Sequence, residues 1–435
     1  MLPVELVRYI IRLATDVPVA FDTRHESVLD EDRVATRREL LVSLQTKLSI
    51  SLVSKSFHVL AEEYLYEVLL LTRFPGCSTL RRFAAFLRRG RRGGLRPRGN
   101  RVRRLELHFR IDGPWTISWD SLWGLLPACP NVELLLFQPL GTVVHPALRP
   151  TTSTYGRYLR HGVECLRFDR NDVFLFTCTE PFVRAVARRY GGTLRRLEVG
   201  ACCAVRSFYL QLMLAFLYNL EVIHIAPVQW RLGENNDSES IRKKWAETLP
   251  IPQQKQQLHT VLLHQACGLE FIPQLCPQLR HVSISNRFFT PFPSIIRNLL
   301  QRNAASIISL YYQHYYHSEN SLPDIVDLLP NLEHLRLLDW FGASWDNVFS
   351  PGIQPRLRTL TLFRIMLSGS DLFKHMRELV QVGQDGRLPK LAKIRLGTCE
   401  HNRGGLDQVQ PAFARLGITR EEREDLRPWY GGFPY

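Results

Sequence analysis

The chain is short of several residue types and patterns, and each shortage excludes something. Of its 435 residues nine are cysteine, an odd number with neither disulfide-like nor zinc-like spacing. Cys129, Cys165 and Cys276 stand among apolar neighbours, where cysteine acts as a small buried hydrophobe, and such usage fits a reducing intracellular compartment. Lysine is scarcer: eight residues against a Lys+Arg total of 56, so the net charge of +15 is carried by arginine. No apolar run is long enough to span a bilayer; the best, Phe208 to Leu217, is short and contains Gln211. Glu5, Arg8 and Arg12 interrupt the first apolar segment and exclude a secretory signal there, so a cytoplasmic or nuclear location is expected.

Catalytic patterns are missing as well. There is no Gly-x-Ser-x-Gly elbow, phosphate-cradling glycine loop or His-Glu-x-x-His helix. His314 and His317 have only Glu319 beside them, and Cys202-Cys203 and Cys399-Glu400-His401 fall equally short of a zinc ligand set. The expectation is a protein that is not an enzyme and carries no metal or cofactor.

What is present begins at the N-terminus. Leu6, Ile10 and Leu13 give residues 2–14 one apolar helical face, with Pro3 suited to the first helical position. Residues 16–33, rich in aspartate, read as an exposed loop. A second helix is predicted over 34–52 with Leu40, Leu41, Leu44 and Leu48 on one side. Ser54 caps a third carrying Phe57, Leu60, Ala61, Tyr64 and Leu65, and residues 68–71 read as a short strand leaving it. Three short helices make a thin core, so a partner covering part of their apolar surface would stabilise them.

Two blocks here, Leu2-Pro3-Val4-Glu5-Leu6-Val7-Arg8-Tyr9-Ile10 and Leu52-Val53-Ser54-Lys55-Ser56-Phe57-His58-Val59-Leu60-Ala61, together resemble an F-box. With the acidic insert between them and Tyr64-Leu65-Tyr66-Glu67 after them, the stretch 1–71 is similar to the F-box-like proteins common in mushroom-forming fungi. The family's second-block tryptophan is Phe57 here. The resemblance implies docking on the Skp-type adaptor of a cullin–RING ubiquitin ligase. The adaptor-facing positions would be Leu2, Pro3, Leu6 and Ile10, with Val53, Ser54 and Phe57.

Eleven arginines lie between Arg81 and Arg104. Leu80, Phe83, Ala84 and Leu87 keep helical spacing among them, so an amphipathic helix is expected to end near Arg89, followed by a glycine-rich loop. Arg88, Arg89, Arg91 and Arg92 form the candidate basic patch.

From Val102 the pattern apolar-x-x-apolar-x-apolar recurs. Its eleven copies begin at Val102, Val132, Val163, Leu194, Leu220, Leu258, Leu279, Ile307, Leu332, Leu357 and Leu391. Most of the intervals lie near the leucine-rich-repeat period of about 20–29 residues. Several copies follow the phrase Pro-Asn/Gln-apolar, as at Pro130-Asn131-Val132, Pro277-Gln278-Leu279 and Pro330-Asn331-Leu332. A strand-plus-helix unit cannot bury its apolar face alone, so such units stack into one core. The pattern fades after about Gly404, where a charged helix over 420–427 and a tail are expected.

The fold class read from the sequence is therefore α/β: a small helical F-box-like domain (1–75), a basic helix and linker (76–101), an irregular curved leucine-rich-repeat solenoid of parallel strands and helices (102–404) and a tail (405–435). The function implied is a non-catalytic substrate-recognition subunit, its helical module holding the adaptor and cullin assembly and its solenoid's concave face a target protein. Tyr311 and Tyr312, within a tyrosine cluster, and Trp340 and Trp345 are candidate target contacts, because aromatics are enriched at protein interfaces. The alternative is a basic scaffold that binds nucleic acid or an acidic partner through residues 81–104.

Overall fold

The computed structural model describes residues 2–23, 33–71, 77–89, 97–110, 125–140, 163–167, 174–178, 180–199, 203–206, 214, 216–225, 228–229, 257–263, 278–285, 294–313, 321–340, 344–349, 354–365, 369–396 and 408–422. Among these residues the repeating apolar phrase becomes strand after strand of one parallel sheet. Its order is β1 (Val68–Leu71), β2 (Arg104–Arg110), β3 (Leu134–Leu140), β6 (Arg196–Val199), β8 (Val222–Ile225) and β10 (Thr260–Leu263). It continues with β11 (His281–Ser285), β12 (Ser309–Gln313), β13 (His334–Trp340), β14 (Thr359–Ile365), β15 (Lys393–Leu396) and β16 (Thr419–Glu422). A second sheet joins β4 (Val163–Arg167), antiparallel to β5 (Phe174–Cys178), with β7 (Cys203–Arg206) and β9 (Val228–Gln229).

Alternation along each strand sends one set of side chains into a common core. Leu105 and Leu107, Leu197 and Val199, Leu335 and Leu337, and Leu360 and Leu362 are all buried there. Helices back the same face: α4 (Cys77–Arg88), α5 (Glu180–Tyr190), α6 (Ser294–Asn303), α7 (Ser321–Asp327), α8 (Trp345–Val348), α9 (Gly369–Gln384) and α10 (Gln410–Arg415). Leu80 and Leu87 of α4, Val186 and Tyr190 of α5, Leu299 of α6 and Met376 of α9 enter that core. The result is an irregular leucine-rich-repeat-like solenoid.

Three sequence expectations are corrected at its edges. The copy beginning at Val163 is β4 and lies in the second sheet, because its neighbour β5 turns back on it antiparallel. The strand at 68–71 does not simply leave the helical module: as β1 it is the first rung of the sheet, pairing Val68 with Arg104. At the other end Thr419–Glu422, which overlaps the start of the helix expected over 420–427, is a strand that pairs Ile394 with Arg420, so the sheet extends past residue 404.

The Asn-apolar step of the phrase, present also without proline at Asn219-Leu220, has a structural meaning. The Asn131 side-chain amide donates to the Asn100 carbonyl at 2.6 Å, Asn219 to Gly192 at 2.7 Å and Asn331 to Ala305 at 2.8 Å. Each asparagine thus closes the backbone of the preceding repeat. Two residues on, a second ladder crosses the start of the strands, where Arg103 pairs with Glu67 at 3.0 Å and with Glu133 at 2.6 Å. Arg195 pairs with Glu221 at 2.7 Å and Arg358 with Glu333 at 3.5 Å. Asn-apolar-Glu repeats therefore face apolar-Arg repeats, and opposite charges meet between neighbouring rungs.

At the N-terminus α1 (Val4–Thr15), α2 (Arg33–Val53) and α3 (Lys55–Leu65) form the expected helical module. Pro3 stands one residue before α1, its carbonyl accepting from the Val7 amide at 3.1 Å. Arg8 to Glu63 at 2.9 Å joins α1 to α3, and Arg98 to the buried Glu62 at 2.7 Å joins α3 to the turn before β2.

Candidate functional site

The module's surface is unusual. Along α1 the apolar stripe is exposed: Leu2 58%, Leu6 43%, Tyr9 59%, Ile10 48% and Leu13 62%, while Ile11 and Thr15 are buried. The second helix splits the leucines expected on one side: Leu40 is buried and Leu44 half-buried, but Leu41 and Leu48 are exposed. Among its described side chains the buried ones are Thr36, Leu40, Ser43, Lys47 and Ser51, mostly polar, whereas Leu41, Val42, Leu48, Leu52 and Val53 face outward. Burial holds the Lys47 ammonium pKa below its ordinary value, against the opposing charges of Glu67 and Asp16. The Ser43 hydroxyl donates to the Thr15 carbonyl, so the polar interior is bonded rather than vacant.

The seven residues singled out in the two blocks fall on this module in two groups. Leu2 and Pro3 lie exposed just before α1 and Leu6 and Ile10 exposed on it, and Val53 and Ser54 are exposed at the junction of α2 and α3. The Ser54 hydroxyl accepts from the Phe57 amide at 3.2 Å, as an N-cap should, while the Phe57 ring is half-buried.

The aromatic candidates stand differently. Tyr312 and Trp345 are completely buried in the solenoid core, and Trp345 stacks on Phe349 with ring centroids 5.7 Å apart. Tyr311 lies on the other face of β12 but is 5% exposed. None of these three presents a contact surface, because the repeats pack around them; the side chain of Trp340 lies outside the described residues. In the basic stretch Arg88 and Arg89 are exposed at the end of α4, as are Arg81 and Arg82 on it, and Arg98 covers the Phe86 ring at 4.5 Å. Arg91 and Arg92 lie outside the described residues. The same is true of His314, His317, Cys202, Cys399 and His401. Among the described residues no cluster of three or more metal-ligating side chains occurs, and no helix is long and apolar enough to cross a membrane.

The face of the sheet away from the helices carries what sequence reading passed over. Arg104 and Glu106 of β2 form a buried pair, 2.6 Å from Nε to carboxylate, and Arg196 and Glu198 of β6 repeat it at 2.7 Å. Residues 16–23, expected to be part of an exposed loop, lie against this face. A 3-10 turn, Pro18–Phe21, places Val17 and Ala20 in a small apolar cluster with Leu40 and Val68. The Arg103 guanidinium covers the Phe21 ring at 4.3 Å. The repeated phrase Arg-Arg-Leu-Glu, at 103–106 and again at 195–198, was the available signal.

Architecture therefore defines the class: a leucine-rich-repeat-like solenoid whose sheet begins at the strand following a three-helix module. No family model and no curated protein matches the chain. Among solved structures, the complex of Rad7 and Elc1 in yeast matches over 96% of this chain and 92% of that chain, at a TM-score of 0.39 and 11% sequence identity.

Proposed function

We propose that the helical module docks on a Skp-type adaptor and that the chain is a non-catalytic substrate receptor of a cullin–RING ubiquitin ligase. The observation that carries this reading is the outward apolar surface of α1 and α2, at the positions the F-box resemblance assigns and beyond them. Burying a single leucine side chain stabilises by about 1.5–3 kcal/mol. A helix that turns Thr36, Ser43, Lys47 and Ser51 inward and Leu41, Leu48 and Leu52 outward is matched to a partner rather than to water. The solenoid then holds a target protein, and the transfer chemistry belongs to other subunits, the receptor acting by proximity.

The test uses the full chain with Leu6→Asp and Ile10→Asp together. Both positions are exposed, so folding should be unchanged. The expected result is a loss of at least tenfold in affinity for a purified Skp-type adaptor; equal affinity with both charges in place would end the assignment.

A second reading draws on α4, which contains no acidic residue and exposes Arg81, Arg82 and Arg88. A nucleic-acid backbone held there would dissociate steeply with salt. Filter retention of a labelled duplex at low ionic strength, abolished by Arg81→Ala with Arg82→Ala, would favour it.

A further inference from the structure

The twin Arg-Arg-Leu-Glu phrases do the same thing twice. In each, the first arginine reaches a glutamate one rung along: Arg103 to Glu133 and Arg195 to Glu221. In each, the second arginine grips the glutamate two residues on and extends a further nitrogen toward the 17–23 segment. Arg104 Nη1 donates to the Ala20 carbonyl at 2.6 Å, and Arg196 Nη1 donates to the Asp22 carbonyl at 3.2 Å. The last residue of the segment, Thr23, donates its hydroxyl to Glu221 and accepts from Arg195 at 3.2 Å. Side chains and backbone are held together, since Val17 and Ala20 are packed and Phe21 lies under Arg103.

We propose that β2 and β6 form a two-site carbonyl socket for the 17–23 strap, and that Arg104 and Arg196 are positioning residues that fix the helical module on the solenoid. Guanidinium suits this role because its planar fork satisfies a carboxylate and a carbonyl at once, which an ammonium of similar length does with less geometric constraint. The strap follows α1 directly and lies over β1, so the module meets the solenoid both through the chain and through this socket. For a receptor that works by proximity, a fixed angle between adaptor-binding and target-binding parts sets the reach of the assembly. That consequence rests on the function proposed above; the socket itself does not.

Hydrogen exchange read by mass spectrometry on the full chain tests it, with two variants built from opposite sides. Arg104→Lys with Arg196→Lys keeps both charges but removes the fork. Ala20→Asp with Thr23→Val spoils the strap and leaves the solenoid's arginines intact. Protection of amides 17–23 should fall at least tenfold in each, with strands β11 to β14 unchanged and a broader distance distribution in small-angle scattering. Wild-type protection of 17–23 in either folded variant would overturn the proposal. If the lysine variant fails to fold, the strap-side variant decides alone. Adaptor affinity measured on the same samples separates the readings: no adaptor binding by the wild-type chain ends the functional reading and leaves the socket result standing.

Discussion

Arg104 donates a hydrogen bond to the carbonyl of Ala20, 2.6 Å away and 84 positions earlier in the chain. The same guanidinium holds Glu106, so one buried side chain ties a strand, its own neighbour and the N-terminal module together. Removing the arginine would take a charged donor from the buried Glu106 carboxylate and from the Ala20 carbonyl.

Arg104→Met alone is expected to cost about 3–5 kcal/mol, the range for breaking one side of a buried ion pair. The double change Arg104→Met with Glu106→Met should recover only part of it, because the two apolar chains need no ion-pair partner but the Ala20 carbonyl still loses its donor. Urea denaturation of the two variants gives the difference directly.

Acidification should act through His259 and Glu221. Burial is the largest effect on His259 and lowers its pKa; Arg280 and Arg195 also lower it, while Glu221 raises it. The unfolded chain therefore binds a proton first, and stability declines as pH falls from about 6.5 through the lower folded value. Burial tends to raise the Glu221 carboxyl, but hydrogen bonds from Arg195 and Thr23 and the Arg195 charge outweigh it and leave the pKa lowered. Its contribution is present above the ordinary glutamate range and is lost as pH drops through the folded value. Melting temperature against pH should show two declines, and His259→Gln should remove the upper one.

Gly99 sits where a β-carbon would lie 1.7 Å from the Ala128 carbonyl oxygen. Backbone of the next repeat occupies that space and has no rotamer with which to yield. Gly99→Ala should destabilise by about 3 kcal/mol or more, at or above the top of the ordinary overpacking range, as measured by thermal melting.

Leucines of the two parts should respond oppositely to truncation. Leu335→Ala, in the solenoid core, is expected to cost about 2–5 kcal/mol. Leu48→Ala, on the outward face of α2, should change stability by no more than about 0.5 kcal/mol. A large loss for Leu48→Ala in the isolated chain would contradict its exposure.

The amino-acid sequence determined the repeat by itself, because an apolar phrase of fixed spacing has one economical way to bury itself: parallel strands stacked over helices. Ten of its eleven copies are rungs of the main sheet, and α1 and the Ser54 cap stand where local pattern and capping chemistry put them. Tyr311, Tyr312 and Trp345 are buried and not contact surface, a distinction local pattern does not make, since an aromatic cluster reads alike whether it packs a core or awaits a partner. Only the tertiary structure decided which way α2 faces, because its leucines and its small polar residues both keep helical spacing. It alone made β1 and β16 the ends of the sheet, where partners rather than pattern complete a strand. It also turned residues 17–23 from loop into strap, through arginines whose contacts lie 84 and 174 positions away in the chain, a separation no local pattern encodes.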